Sequence, residues 1–194
     1  ERATEAVLNL GLAPLMLGGE HSISSGAVAA VARRHPDLVL VQLDAHADLR
    51  EEWLGARHNH ACAMRRCLEV LPSGTLRQIA IRSGSREEFS ELRGSDRLVP
   101  IEQMAAALAP LRGQPLYLTV DLDWFDPAVL PGTGTPEPGG FDWGDFAALV
   151  DELRHHRLVA ADVVELAPQL DPSGVSAVLA AKVVRSLLLL LARS

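Results

Sequence analysis

The sequence predicts an α/β fold built on a mostly parallel sheet covered by helices. Short apolar runs of strand length alternate with longer helix-like segments along the chain. The runs are apolar at consecutive positions, as strands buried on both faces are. Ionisable residues gather directly after the runs, where open α/β sheets bind ligands beyond the carboxyl ends of their strands.

In chain order the strand-like runs are APLMLG (13–18), LVLVQLDAH (38–46), RQIAIRSG (77–84), RLVPI (97–101), PLYLTVDLD (115–123) and LVAADVVEL (158–166). Helix-like stretches are SSGAVAAVARRH (24–35), HACAMRRCLEVL (60–71), IEQMAAALAPL (101–111), GDFAALVDELRHH (144–156) and SGVSAVLAAKVVRSLLLLLA (173–192). The Gly/Pro-rich PGTGTPEPGG (131–140) is a loop with no second domain implied after it. The chain opens at Glu1 inside a further helix-like stretch, ERATEAVLNLGL. The expectation is one domain over 1–194, truncated at its N-terminus.

A chain of 194 residues suffices for one well-buried domain. Its net charge of −7 and scattered Lys and Arg argue against a nucleic-acid groove and suit a cationic small molecule. LLLLLA near the C-terminus is too short to span a bilayer and reads as the buried stripe of a last helix. Two cysteines, Cys62 and Cys67, have neither the number for a disulfide scaffold nor the spacing of a zinc ribbon. They read as reduced thiols of a cytoplasmic protein.

Four clusters follow apolar runs. LGGEHSISSG places His21 in a Gly-rich turn. LDAHADLREE (43–52) carries Asp44, His46 and Asp48 at every second position, projecting one way if the strand continues. LTVDLDWFDP repeats the pattern with Asp121 and Asp123, while Asp126 before Pro127 reads as a structural turn residue. VVELAP ends a run with Glu165. Taken singly, His21 reads as structural and Glu165 as a cap or ion-pair partner, while Asp44, His46 and Asp48 read equally as a metal site or as a solvated strand end with a capping Asp. Together, His21, Asp44, His46, Asp48, Asp121 and Asp123 offer four carboxylates and two imidazoles from three strand ends that a parallel sheet sets side by side. Carboxylates packed that closely repel unless a cation, an arginine partner or open water relieves them. Four of them neutralise two divalent ions, and oxygen-rich ligands with some imidazole suit Mn²⁺, with Fe²⁺, Co²⁺, Ni²⁺ and Zn²⁺ as competitors.

These stretches (GGEHS, DAHAD, DLDWFDP with PGTGTPEPGG, and DVVELAP, in this order) resemble the ureohydrolase family, which includes arginase and agmatinase. HACAMRRCLEVLP looks most like agmatinase-type members. The resemblance implies a three-layer α/β/α sandwich of arginase-like fold, lacking two N-terminal strands, with an exposed apolar sheet edge and a poorly covered helix 22–35. It implies two Mn²⁺ per chain, one held by His21, Asp44, Asp48 and Asp121 and the other by Asp44, His46, Asp121 and Asp123, with Asp44 and Asp121 bridging.

The implied reaction is hydrolysis of a guanidino compound, first of all agmatine, to urea and an amine, by water activated between the two ions. Asp48 would take up and pass on the water's proton, and His60 would shuttle protons at the mouth, with His58 as a competing candidate. Glu165 would hold the guanidinium, with His60 also near the substrate. LREEWLGARHN (49–59) lacks the Asn and Ser pattern with which arginases read an amino-acid end. Glu51 and Glu52 favour a cationic tail, and Arg57 and His58 an anionic one, so guanidinobutyrate stands as the alternative substrate. A non-catalytic metal-binding remnant is the other alternative, and a single-zinc deacetylase-like enzyme would share the fold. A trimer or hexamer of identical chains is implied by the resemblance alone, with no nucleic-acid or membrane partner.

Overall fold

The structure, a computed structural model, describes residues 1–193. Six strands form one all-parallel sheet: β1 Leu15–Leu17, β2 Val39–Leu43, β3 Leu76–Ile79, β4 Leu98–Val99, β5 Pro115–Asp121 and β6 Arg157–Val164. Their order across the sheet is β1-β6-β5-β2-β3-β4. The helices are α1 Arg2–Asn9, α2 Ile23–Arg34, α3 Ala63–Leu68, α4 Arg86–Arg93, α5 Met104–Leu108, α6 Trp143–Leu153 and α7 Val175–Leu191.

Alternation along the strands sorts side chains to two faces. Val39, Val41 and Leu43 of β2 and Leu116, Leu118 and Val120 of β5 enter one apolar cluster with residues of α5, α6 and α7. Leu40, Leu76, Tyr117 and Ala160 enter the other, with Ala27, Val28 and Val31 of α2, Met64 and Cys67 of α3 and Leu92 of α4. The result is the three-layer α/β/α sandwich. In α7, Leu187, Leu190 and Leu191 are buried while Leu188 and Leu189 face out, so the apolar run is a core stripe. Among the described residues, no helix is long and apolar enough to cross a membrane.

Several expected elements are shortened, each for a local reason. β2 stops at Leu43, because the Asp44 carboxylate accepts the His46 N–H at 2.6 Å and turns the chain. Asp44, His46 and Asp48 therefore do not lie on one strand face. Asp48 instead has left-handed backbone (φ 54°). β5 ends at Asp121, whose carboxylate accepts the Asp123 N–H at 2.9 Å and caps a 3₁₀ turn over Leu122–Trp124. β3 ends before Ala80 (φ 66°) and β6 before Glu165 (φ 65°), both left-handed. Helix α4 was not anticipated, although Ser85 and Glu88 form a reciprocal capping box that is visible in SREE.

β1 is a short outer strand that pairs only with β6 among the described residues, and Leu17 on it is 62% exposed. An apolar edge is thus present, as expected. Helix α2, however, is covered: α1 packs along it, with Arg33 paired to Glu1 and Glu5.

Candidate metal centre

The chain reverses its direction of travel across the sheet between β2 and β5, leaving a crevice beyond their carboxyl ends. The turn after β2 delivers Asp44, His46 and Asp48, and the turn after β5 delivers Asp121 and Asp123. The two turns are stitched together where Ala45 N–H donates to Asp123 Oδ1 at 3.0 Å. His21 arrives from the β1–α2 loop. There the left-handed Gly18 and Gly19 let the chain double back, and Gly18 N–H and Glu165 N–H tie that loop to the end of β6. His21 N–H donates to Glu165 Oε1 at 2.7 Å, so these two residues are placed as a unit.

His21 Nδ1 lies 3.1 Å from Asp44 Oδ2, 3.1 Å from Asp48 Oδ2 and 3.2 Å from Asp121 Oδ2, fully buried. Yet it forms no hydrogen bond of acceptable direction to any of them. A nitrogen equidistant from three carboxylate oxygens and aligned with none is the geometry of donors converging on a shared cation. Two groups of such donors each lie within 4.8 Å: His21, Asp44 and Asp121, and Asp44, His46 and Asp123. Asp44 belongs to both, and Asp48 joins the first through its contact with His21. The donor chemistry, carboxylate and imidazole with no thiolate, fits two divalent ions of the Mn²⁺ type.

Without cations the cluster is electrostatically strained. Burial, and the nearby Asp44 carboxylate, push Asp48 up to about 7. Burial opposes a charge on His46, but its bonds to Asp123 and Asp44 prevail and push it up to about 11. Burial also raises Asp123, with Asp44 adding repulsion. Burial opposes a charge on Asp44 too, but the His21 and His46 rings beside it prevail and hold its carboxyl below the usual range.

His46, Asp48, Asp121 and Asp123 line a cleft of about 210 Å³ whose walls include Glu165, His60, Arg50 and Trp53, with His21 and Asp44 buried beneath them. His60 opens a 3₁₀ turn capped by Asn59, and its Nδ1 sits 3.4 Å from Glu20 Oε1. His58 is exposed and does not line the cleft. Glu51, Glu52 and Arg57 do not line it either: Arg57 pairs with Glu51 and Glu69, and Glu51 also with Arg66. The charges expected to read the substrate tail are therefore spent on the surface. Arg50, missed in the sequence, stacks over Trp53 at 4.0 Å inside the cleft. Asp126 is structural as expected, accepting Gly139 N–H and Gly140 N–H to close the Gly/Pro loop.

A family model for the arginase family matches residues 1–190. The chain belongs to the arginase family. Members are binuclear metal hydrolases acting on amidino C–N bonds, and this arginase-family chain has buried His/Asp groups able to hold metal. It is 34% identical over 195 residues to the agmatinase of Bacillus subtilis (strain 168), covering 97% of this chain and 67% of the relative. It is 32% identical over 205 residues to the guanidinobutyrase of Pseudomonas aeruginosa, covering 98% and 64% respectively. The solved agmatine ureohydrolase of Thermoplasma volcanium superposes with a TM-score of 0.82 at 36% identity, covering 95% of this chain and 64% of that one. The chain thus spans about two thirds of the length of these relatives.

Polar residues behind the donors had not been singled out. Gln42 Nε2 donates to Asp44 Oδ2 at 2.6 Å, and Gln78 Nε2 donates to Gln42 Oε1 at 2.6 Å. Arg82 Nη2 donates to the carbonyls of Asp123 and Glu137, each at 2.8 Å, tying the Gly/Pro loop to the β5 turn. A legible signal existed: each is a polar side chain set within or just after an otherwise apolar run.

Proposed function

We propose that this arginase-family chain hydrolyses a guanidino compound, agmatine first, to urea and putrescine with two Mn²⁺ bound. The observation that carries the reading is the convergence of Asp44, Asp48 and Asp121 on one buried, unbonded imidazole nitrogen beneath a cleft bordered by Glu165. His21, Asp44, Asp48 and Asp121 would hold one ion, and Asp44, His46, Asp121 and Asp123 the other. When bound, such a pair of ions lowers the pKa of water toward neutrality and so supplies a nucleophile at pH 7.

The side chains do the rest. Glu165, half-buried and fixed by the His21 N–H, offers its carboxylate to the guanidinium and holds the carbon over the donor floor. Asp48 stands at the floor as the acceptor for the proton that the attacking water sheds. His60, its side chain 43% exposed at the mouth, passes a proton to the nitrogen of the substrate that leaves as the amine. Glu20, with its Oε1 3.4 Å from His60 Nδ1, adds an exposed carboxylate beside that histidine, which suits a cationic tail.

One observation favours a second reading. Arg50 is the only Lys or Arg among the cleft-lining residues, and it suits the carboxylate tail of a guanidino acid such as guanidinobutyrate. Urea release from agmatine, 4-guanidinobutyrate and arginine by the Mn²⁺-loaded protein separates the two readings. No turnover across the panel by a protein that binds two Mn²⁺ would refute both and leave a metal-binding remnant. Assembly into a trimer or hexamer belongs to the same proposal and is measured by sedimentation.

A further inference from the structure

Behind His21, on the side away from the cleft, three side chains form a closed polar chain inside the sheet. Thr119 and Asp162 are register partners on the neighbouring strands β5 and β6, and Tyr117 is two residues before Thr119 on the same face. The Tyr117 hydroxyl donates to Asp162 Oδ2 and the Thr119 hydroxyl to Asp162 Oδ1, each at 2.6 Å. Thr119 Oγ1 also lies 2.9 Å from His21 Nε2. Asp162, Thr119 and His21 are all fully buried. Such a group in an apolar layer is costly to desolvate, and every member here has a partner.

The chemistry of the chain is directional. A carboxylate only accepts, and a hydroxyl has one proton to give. Thr119 spends that proton on Asp162, so towards His21 it can only accept, and Nε2 must carry the hydrogen. In the neutral ring the lone pair then sits on Nδ1, the atom that faces Asp44, Asp48 and Asp121. Were the Thr119 hydroxyl free to turn, it could donate to Nε2 instead. The ring proton would move to Nδ1, and a cation would have to displace it.

We infer that Asp162, acting through Thr119, is a positioning residue that selects the metal-binding tautomer and orientation of His21. The inference rests on the metal-centre reading above and adds to it a residue that touches neither ion nor substrate. Partners of this kind behind a metal-binding histidine are commonly worth 10–100-fold in affinity.

The test is calorimetric titration of the metal-free protein with Mn²⁺ alone, for wild type, Asp162→Leu, Thr119→Val and Thr119→Ser. Asp162→Leu keeps the approximate shape and removes both acceptor oxygens, which frees the Thr119 proton for Nε2. Thr119→Val keeps the branched shape and deletes the hydroxyl, and Thr119→Ser retains the hydroxyl. The expected result is two binding steps in wild type and Thr119→Ser. In Asp162→Leu and Thr119→Val one step weakens about 10–100-fold while the other is unchanged. A loss that is merely structural would weaken both steps and would not be rescued by serine, and that outcome overturns the inference. So does wild-type affinity at both steps in Asp162→Leu, or in Thr119→Val if Asp162→Leu does not fold. Absence of Mn²⁺ binding by wild type would overturn the metal-centre reading itself, and is recognised in the same experiment before any variant is compared.

Discussion

Asp44 belongs to both donor groups, so Asp44→Asn is expected to abolish most of the stabilisation that Mn²⁺ confers on the protein. The magnitude follows from linkage. An ion bound only by the folded chain, present at 100 times its Kd, stabilises it by about 2.7 kcal/mol. Two such ions give about 5 kcal/mol. For a chain of this size each kcal/mol moves Tm by about 2–4 °C, so saturating Mn²⁺ should raise Tm by about 10–20 °C. In the variant, Gln42 Nε2 and His46 N–H both point at the former carboxylate, so the new amide group must meet one of these donors with its own. That lowers the metal-free Tm, and for this reason each protein is compared with its own metal-free melt. The assay is thermal unfolding with and without Mn²⁺ at fixed pH. The expected shift for Asp44→Asn is below about 5 °C, since both groups lose a shared donor. A variant that shifts as far as wild type would refute the claim that one carboxylate serves both groups.

Three further outcomes are expected. Glu165→Gln should lower kcat/KM for the turned-over guanidino substrate about 10–100-fold, the worth of a charged hydrogen bond, while Mn²⁺ stoichiometry stays at that of wild type. Loss of the metal instead would show that Glu165 supports the centre and not the substrate. Mn²⁺ uptake should release protons and strengthen as pH rises from 6 to 8. Asp48, pushed up to about 7, and His46, pushed up to about 11, are protonated in the metal-free protein below those values and must give up their protons to bind. Calorimetry in buffers of different ionisation heat reads the release, and a pH-independent affinity would contradict it. Gly140→Ala should lower Tm, because a Cβ there would lie 2.5 Å from Asp126 N and 2.7 Å from Phe125 C, backbone atoms that cannot swing aside. Overpacking of this kind costs about 1–3 kcal/mol, and a variant melting with wild type would show that the Gly/Pro loop gives way.

Much of this chain was legible residue by residue. Apolar runs mark five of the six strands over most of their length, and β4 survives as two residues because Pro100 follows it. The six donor residues stand out because acids and histidines directly after buried runs are costly without a purpose. Local chemistry misled where side chains reclaim the backbone: the carboxylates of Asp44 and Asp121 turn the chain, and what read as strand alternation is a pair of turns. Helix α4 was missed although its capping box lay in plain sequence. Arg50 and His58 could not be sorted into and out of the cleft, because which side of a surface loop faces inward depends on what the loop packs against.

By itself, then, the order of residues determined the layered α/β class and a candidate set of carboxylate and imidazole donors. Only the tertiary structure decided which donors meet. β2 lies beside β5, and β6 beside β5, in a parallel register that sets residues far apart in the chain side by side, such as Leu43 with Val120 and Thr119 with Asp162. Parallel pairing of this kind joins strands across long crossovers, and the periodicity within a strand carries no information about its neighbour. That pairing, with β1 beside β6 to carry the His21 loop, brings Asp44 and Asp121 to one imidazole nitrogen, and sets the Thr119–Asp162 pair behind the same ring.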